Sequence, residues 1–199
     1  MIEHEWEGFR EQKNFALSLA RCEWVLSLDA DEALSDRLSG SIKNFIHSPV
    51  QPYSGAKISR KTFLLNRWIM HGDWYPDYTI RLFRKDAGSF VGGSVHEGVQ
   101  VSGRIRCLVG DILHYSCEDI SEFVKRNIGY ADLSARDMFE RRRRPFFLTA
   151  ILKSCWKFFR CYVIKLGFLD GSAGFFVAKL QAFTTLYKYL KLRSLYSDK

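Results

Sequence analysis

The sequence WVLSLDADEALS, residues 24–35, places three acidic residues directly after a short apolar run. Residues 24–28 predict a buried strand, because a short apolar run bounded by polar residues is typical of one. Asp29, Asp31 and Glu32 then follow within four positions. Ligands of open α/β sheets collect outside the carboxyl ends of the strands. The stretch therefore predicts a ligand site where this strand ends.

Helical patterns flank this strand on both sides. Residues 9–22 have apolar residues at helical spacing, and Ser35 can cap a second helix that runs to about Ile46. The order helix, strand, helix predicts a parallel α/β layer with the 24–28 strand inside it. The rest of the pattern predicts a strand at 56–65, an aromatic loop and strand within 68–85, a glycine-rich loop at 90–97, strands at 105–108 and 112–115, and a helix from 119 or 121 to about 139.

The composition is that of a folded globular protein. The chain has 199 residues, of which 47% are hydrophobic and 26% charged, so it can bury a sizeable core. Its five cysteines are odd in number and form no C-x-x-C pair, which favours reduced thiols over disulfides or a zinc site. The first residues, MIEHEWEGFREQ, are acidic and polar, so no secretory signal peptide is expected.

The positive charge is concentrated near the end of the chain. Residues 1–135 carry 16 Lys and Arg against 18 Asp and Glu, whereas residues 136–199 carry 14 against 4, a net charge of +10. We therefore predict a boundary near residue 140. It would separate a main domain, residues 1–140, from a basic amphipathic helical tail, residues 141–199.

The basic tail predicts attachment to an anionic membrane surface. RRRRP at 141–145 precedes two amphipathic stretches, 146–166 and 175–192, which are too charged for a comfortable membrane span. Cations would face lipid phosphates while aromatic side chains enter the acyl boundary. The cations are Lys153, Lys157, Arg160 and Lys165, and the aromatic residues are Phe146, Phe147, Trp156, Phe158 and Phe159. A helical hairpin packed on the main domain is the alternative. Nucleic-acid binding is not predicted, because no known motif accompanies the basic residues.

The acidic turn has three possible chemistries. Asp29 and Asp31 could share a hard divalent cation, Mg²⁺ or Mn²⁺, which takes carboxylate and phosphate oxygens together. The three acids could instead begin a solvated loop. A haloacid-dehalogenase-like phosphatase would also use paired aspartates, but its D-x-D-x-T/V pattern meets Ala33 at the fifth position.

Several motifs together resemble a known enzyme family. Q-K-N-x-A-L-x-x-A, residues 12–20, is followed by W-V-L-x-L-D-A-D-E, then by WYPD at 74–77, RLFR at 81–84, VHE at 95–97 and GFLDG at 167–171. This combination is similar to family 2 glycosyltransferases of the GT-A fold. The likeness is strongest to the bacterial subgroup that adds a sugar, often glucose, to the lipopolysaccharide inner core. The implied fold is α/β, a GT-A-like (Rossmann-like) mixed sheet lacking its first strands, followed by C-terminal amphipathic helices.

The resemblance implies a donor site around the acidic turn. Asp31 would bind the divalent cation that bridges the diphosphate of a nucleotide-sugar, and Asp29 would contact the ribose or the metal shell. His114 would reach the metal or the diphosphate, unless it is a structural histidine. The other donor-side residues would be Gln12, Lys13 and Asn14 on the first helix, with Arg81 as a diphosphate partner or else a plain surface residue.

The acceptor side needs a base and a sugar platform. An inverting transfer requires a general base to take the acceptor proton, and the resemblance implies Glu97, with Asp77 as the second candidate. His96 would orient Glu97 or the acceptor. Trp74 and Tyr75 would stack on sugar faces or belong to the core. The acceptor itself would be a lipid-linked glycan at the inner face of the cytoplasmic membrane.

Two segments of the family pattern are absent from this sequence. The family begins with a T-x-x-x-x-Y-N-E-like segment, followed by a strand that ends in D-S-x-S-x-D, and neither pattern occurs here. We therefore expect an incomplete nucleotide-binding half and weak transfer by this chain alone. The alternative function is a non-catalytic remnant that binds a membrane or a partner.

Overall fold

A computed structural model describes residues 4–48, 52–92, 98–116, 119–144 and 146–197. The chain forms two compact units: unit 1 comprises Met1–Lys61 and Asp77–His114, and unit 2 comprises Thr62–Pro76 and Tyr115–Lys199. The helices are α1 (Phe9–Leu19), α2 (Asp36–Ile46), α3 (Ile120–Glu140), α4 (Phe147–Phe159) and α5 (Gly171–Ser197). The strands are β1 (Trp24–Leu26), β2 (Glu32–Leu34), β3 (Tyr53–Leu64), β4 (Arg67–Trp68), β5 (Asp77–Arg84), β6 (Gly88–Val91), β7 (Gly98–Val101) and β8 (Arg104–Tyr115).

The strands form one six-stranded sheet and one hairpin. The large sheet has the order β1-β5-β3-β8-β2, with β4 paired to β3, and β6 pairs with β7. The predicted fold class is confirmed: the chain is α/β, with a Rossmann-like mixed sheet followed by C-terminal helices.

The surroundings of β1 differ from the sequence prediction. The strand runs antiparallel to β5, with Val25 opposite Phe83, and it stands at the end of the strand order. Its three residues are half-buried. The predicted parallel layer around this strand is therefore wrong: among the described residues β1 is hydrogen-bonded to β5 alone. An apolar run reveals burial, but it does not reveal the direction of the neighbouring strand.

Helix α2 covers the sheet of unit 1 and was predicted correctly. Its inward residues Leu38, Ile42 and Phe45 are buried. They pack against Ala56 and Ile58 of β3 and against core residues of β5 and β8. A helix with an apolar stripe at this spacing buries that stripe on the sheet, as expected.

Ser35 caps α2 and also joins it to the sheet. Its Oγ accepts a hydrogen bond from the Leu38 backbone nitrogen at 3.3 Å and another from the Asp111 backbone nitrogen at 3.1 Å. The serine thus satisfies one open donor of the helix and one donor of β8.

Replacing Ser35 with alanine is expected to lower the free energy of unfolding by about 1–2 kcal/mol, because two backbone donors lose their acceptor. Urea unfolding followed by circular dichroism measures the change. Ser39→Ala, one turn into the same helix, is the matched control and is expected to leave stability nearly unchanged. Equal losses in both variants would contradict the capping role.

Strand β8 is a single strand of 12 residues, not the two short strands that were predicted. Gly110 separates the two apolar runs and adopts a φ of 107°, a conformation that other residues rarely take. A Cβ at this position would lie 2.5 Å from the Leu38 backbone nitrogen. Glycine therefore lets the strand continue past the start of α2, where the sequence suggested a break.

Unit 2 has its own core between the helices. Phe123 of α3, Cys161 and four buried residues of α5 (Ala173, Val177, Ala178 and Leu180) pack together with Leu64 and Ile69. Asp119 caps α3, whose observed span confirms the predicted helix. The functional boundary predicted near residue 140 stays a prediction.

Buried Asp170 anchors the loop that follows β4 within unit 2. One carboxylate oxygen accepts hydrogen bonds from the backbone nitrogens of Met70 and His71, at 3.0 and 2.8 Å. The other oxygen lies 3.0 Å from Nδ1 of His71. The aspartate of the GFLDG segment therefore has a structural role in this loop.

Candidate functional site

The acidic turn between β1 and β2 closes on itself. The backbone nitrogen of Glu32 donates to the Asp29 carbonyl at 3.0 Å, and the Asp29 nitrogen donates to Glu32 Oε2 at 3.0 Å. These reciprocal bonds hold the four residues Asp29 to Glu32 in one conformation. The turn therefore presents its three carboxylates in defined and different directions.

Glu32 points inward and binds two arginines. Its side chain is 0% exposed, and Oε1 lies 2.8 Å from Nη2 of Arg81 and 3.7 Å from Nη1 of Arg60. A buried carboxylate is tolerated only when it is paired and hydrogen-bonded. This glutamate therefore organises the charged groups beneath the turn.

Asp29 is bound by cations from two sides. Its Oδ2 accepts a hydrogen bond from Nη2 of Arg81 at 3.0 Å, and its Oδ1 lies 3.6 Å from Nζ of Lys13 on α1. Burial by itself would raise the pKa of Asp29, but the hydrogen bond from Arg81 and the charges of Arg81, Lys13 and Arg60 together lower it. The carboxylate is therefore ionised and already neutralised by protein groups.

Strand register brings the two arginines to this place. Arg60 of β3 stands opposite Asp77 of β5, and the arginine donates two hydrogen bonds to Oδ2 of Asp77, at 3.1 and 2.8 Å. Arg81 lies four residues farther along β5, where its carbonyl accepts a bond from the Ser27 nitrogen at 2.8 Å. The end of β1 and the arginine are therefore fixed side by side.

Asp31 and His114 form a second pair at the turn. Strand β2 runs antiparallel to β8 with Glu32 opposite His114, and Nε2 of the histidine lies 3.2 Å from Oδ2 of Asp31. The Asp31 side chain is 41% exposed. Burial, and next the charge of Arg60, lower the pKa of His114, although the nearby carboxylates of Asp31 and Glu32 act in the opposite direction. The neutral imidazole, the form that binds metals, is therefore favoured at neutral pH.

This lowered pKa predicts how stability depends on pH. The unfolded chain binds a proton at His114 more readily than the folded chain, so the associated stability is present above about pH 6.5 and is lost as the pH falls toward the lower folded value. We expect the free energy of unfolding to decrease more steeply below about pH 6.5 in the wild type than in His114→Gln. Urea titrations between about pH 5 and 8 measure both slopes. Parallel slopes in the two proteins would contradict the burial of a neutral histidine.

The acidic turn offers only part of a donor set for a metal ion. Among the described residues, no three imidazole, thiol or carboxylate groups converge on one point. Asp31 and His114 supply two donors side by side. Mg²⁺ is commonly held by one or two protein carboxylates together with substrate phosphates, so Asp31 is the member of the pair that suits this ion, while an imidazole suits softer metals better.

Several predicted donor-side residues have structural partners in unit 1. Nδ1 of His4 lies 2.8 Å from Oε1 of Gln12. Asn14 exchanges two hydrogen bonds with the backbone of Phe90, each 3.0 Å long, and so joins α1 to β6. Lys13 is the member of this trio that lies at the acidic turn.

The acceptor-side predictions are divided between the two units and residues outside the described ones. Trp74 and Tyr75 belong to unit 2, where the ring of Trp74 packs edge-on against Phe123 with centroids 5.4 Å apart. Glu97 and His96 lie outside the described residues. Asp77 belongs to unit 1 and is bound by Arg60. The roles predicted for these residues stay predictions.

Sequence reasoning missed two members of the cluster. Glu32 was visible as the third acid of the turn, and its position at the start of a short strand was the available signal. Arg60 gave no signal, because its pattern in β3 is that of an ordinary polar residue. The cross-strand register made it a neighbour of the turn.

The chain is similar over nearly its whole length to bacterial proteins named glycosyltransferases. No family model matches it. An uncharacterised glycosyltransferase of Rickettsia bellii is 27% identical over 96% of this chain and 68% of the relative, and one of Rickettsia typhi is 28% identical over 98% and 70%. A lipopolysaccharide core biosynthesis glycosyltransferase of Rhizobium meliloti, LpsC, is 25% identical over 96% of this chain and 70% of the relative. These homologues support a glycosyltransferase.

Proposed function

We propose that this homologue of bacterial glycosyltransferases moves a sugar from a nucleotide-diphospho-sugar to a lipopolysaccharide-core or related glycan. The observation that carries the proposal is the acidic turn after β1, where Asp31 lies beside a neutral histidine and Asp29 beside Lys13 and Arg81. Such a cluster suits a metal-bound diphosphate, because carboxylates bind the metal ion and basic side chains bind the phosphate oxygens. The resemblance to family 2 enzymes of the GT-A fold agrees with this arrangement.

Asp31 and His114 are the proposed metal ligands. The carboxylate and the imidazole lie on one side of the turn, 3.2 Å apart, and the lowered pKa of His114 favours the uncharged ring at neutral pH. When bound, Mg²⁺ or Mn²⁺ would offset the charge of the departing diphosphate. Asp29 would orient the ribose, because Arg81 and Lys13 already hold its carboxylate in place.

The proposed reaction is a displacement with inversion. The oxygen of the acceptor hydroxyl bonds to the anomeric carbon, the bond from that carbon to the diphosphate breaks, and the hydroxyl proton passes to a carboxylate. Glu97 is the proposed base. The second candidate, Asp77, is less suited, since Arg60 donates two hydrogen bonds to its carboxylate.

The proposed acceptor is linked to lipid. The name of the Rhizobium meliloti relative refers to lipopolysaccharide core biosynthesis, and core sugars are joined to a lipid anchor. A cytoplasmic protein held peripherally at the inner face of the cytoplasmic membrane would meet such an acceptor.

Donor turnover and product stereochemistry test the proposal together. The protein is incubated with radiolabelled UDP-glucose and lipopolysaccharide-core acceptor, with Mn²⁺ or with EDTA. We expect transfer to require the metal. We also expect the product to be a β-glycoside, which the coupling constant of the anomeric proton in its NMR spectrum identifies. Metal-independent transfer would contradict the cation site, and an α-glycoside would contradict inversion. If UDP-glucose is inert, other nucleotide-sugars replace it in the same assay.

A further inference from the structure

Helix α4 is apolar on two opposite faces, although α5 covers only one of them. On the inner face Ala150 is buried, and the Ser154 hydroxyl donates to the Ala182 carbonyl at 2.7 Å. The ring of Phe158 meets Phe175 edge-on. The uncovered apolar face is the one that needs an explanation, since a helix normally buries its apolar face against protein or lipid.

The outer face of α4 continues as an exposed apolar stripe. Leu148, Leu152, Trp156, Phe159 and Val163 succeed one another at spacings of three and four residues, which places them along one side of a helix. Their exposed fractions are 55, 60, 57, 47 and 43%. Helix α4 has 13 residues and therefore extends for about 20 Å.

Further exposed apolar side chains extend the stripe at both ends. Phe146 and Phe147 precede it, and Ile164, Leu166, Phe168 and Leu169 follow it. Soluble proteins seldom expose an apolar patch of this extent unless it binds a partner or a membrane. The stripe is therefore expected to be covered by a partner or by a membrane.

The charges around the stripe favour a negatively charged binding partner. Between Glu140 and Asp170 the chain has eight Lys and Arg and no Asp or Glu. Contrary to the sequence prediction of one row of cations for lipid phosphates, Lys157 and Arg160 bind Asp73 of unit 2, at 2.8 and 3.2 Å. Lys153 donates to the Tyr189 hydroxyl at 2.8 Å.

The remaining cations stand at the two ends of the stripe. Residues 141–144 are four exposed arginines at its beginning, of which Arg141 also pairs with Asp137 at 3.0 Å, and Lys165 is exposed at its end. A second copy of the chain seated on this face would bring like charges together, which opposes self-association. An anionic lipid surface would instead bury the apolar stripe and attract the cations at both of its ends.

We propose that the outer face of α4 lies in the plane of an anionic bilayer, with the stripe at the boundary of headgroups and acyl chains and with residues 141–144 and Lys165 in the headgroup layer. Among the described helices none is by itself long and apolar enough to span a membrane. The segments on either side of a 72° bend, Phe147–Ile164 and Gly167–Ser197, meet that test only as a pair, by length and composition. The in-plane orientation extends the proposed function, because it identifies the surface where a lipid-linked acceptor would be found. The residues that support it all belong to unit 2.

Vesicle flotation tests the proposal. The protein is mixed with phosphatidylcholine vesicles that contain phosphatidylglycerol, or with pure phosphatidylcholine. We expect strong flotation with the anionic vesicles and weak flotation with the neutral ones. Trp156→Glu and Leu152→Glu are each expected to weaken binding at least tenfold, since a charge enters the acyl boundary. Tyr130→Glu on α3, also an exposed aromatic position, is the matched control and is expected to bind as the wild type does.

Two further measurements separate lipid from other occupants. Replacing Arg142, Arg143 and Arg144 with glutamine is expected to weaken binding to anionic vesicles on the order of a hundredfold. Brominated lipids are expected to quench the fluorescence of the wild type much more than that of Trp156→Phe, which keeps the fold. Equal quenching in the two proteins would overturn the orientation. Two outcomes would overturn the membrane proposal. In the first, the wild type does not float and forms a dimer that Trp156→Glu dissociates. In the second, the wild type does not float and binds an oligonucleotide.

The vesicle result is independent of the transferase proposal. Asp31→Asn changes the acidic turn of unit 1 and is expected to float with anionic vesicles as the wild type does. A protein that transfers sugar but does not float would refute the membrane surface alone. A protein that floats but does not transfer would refute the enzyme alone.

Discussion

Replacing Asp31 with asparagine is expected to lower sugar transfer about a thousandfold, because the loss of the proposed metal ligand would remove several kcal/mol of charge stabilisation from the transition state. The amide keeps the size of the side chain but lacks the negative charge. The carboxylate is 41% exposed and lies 3.2 Å from His114, so the substitution leaves no buried charge unpaired. The variant should therefore fold normally and lose activity.

Two measurements check this result. Initial rates of transfer give kcat and KM across a series of Mn²⁺ concentrations. The electron paramagnetic resonance of free Mn²⁺, recorded with UDP present, gives metal binding without turnover. We expect Asp31→Asn to need far more Mn²⁺ in both experiments.

Asp86→Asn is the matched control for the loss of one carboxylate. Asp86 belongs to unit 1, its side chain is 66% exposed, and its partner is Arg84 at 3.0 Å. We expect it to transfer sugar within a factor of about two of the wild type, since exposed pairs contribute little. Wild-type transfer and Mn²⁺ affinity in Asp31→Asn would show that the metal ligand lies elsewhere.

Replacing Glu32 with glutamine is expected to lower the free energy of unfolding by about 3 kcal/mol, the low end of the range found when one partner of a buried ion pair is removed, because Arg81 keeps Asp29 and Arg60 keeps Asp77. The side chain of Glu32 is fully buried, and the side chain of Arg81 is only 11% exposed. Glutamine keeps the volume and an oxygen for the Asp29 nitrogen. It leaves Arg81 and Arg60 without the negative charge they share.

Glu23→Gln provides the comparison for this stability measurement. Glu23 also pairs with an arginine, Arg84, at 2.7 Å, but its side chain is 60% exposed. The expected loss is below about 1 kcal/mol, because exposed pairs gain little over hydration. Urea denaturation midpoints with unchanged slopes report both losses. If the two variants lose the same stability, burial does not determine the strength of the Glu32 pair.

Much of the fold was predictable because it depends on local signals. The apolar spacing of α2 and the serine before it predicted the span of the helix, and the structure confirms that span. The first helix was predicted as 9–22, and α1 ends at Leu19. Helix ends are less certain than helix cores, since several conformations satisfy the final turn.

The pairing of strands was less predictable because it depends on distant residues. Nothing within residues 24–28 indicates that β5 runs antiparallel beside them. Gly110 was readable as a break in a strand. In the structure, Gly110 lets β8 continue unbroken where the strand passes close to α2.

The candidate site shows the same division. The three acids after β1 and their likeness to a metal-binding motif are properties of one short segment. The partners of those acids come from α1, β3, β5 and β8, so the sequence does not show which carboxylate is buried. Asp29 and Asp31 were predicted as a metal pair, but cations of the protein bind Asp29, and His114 lies beside Asp31.

The sequence by itself determined the α/β class, the helices of unit 1, the acidic turn and the basic end of the chain, because periodicity and charge are local properties. Only the tertiary structure decided the three separate environments of Asp29, Asp31 and Glu32. It also decided which cations of α4 are already bound to Asp73 and which apolar residues remain uncovered. The physical reason is that ion pairs and burial depend on side chains brought together by strand register and helix packing, from positions far apart in the chain.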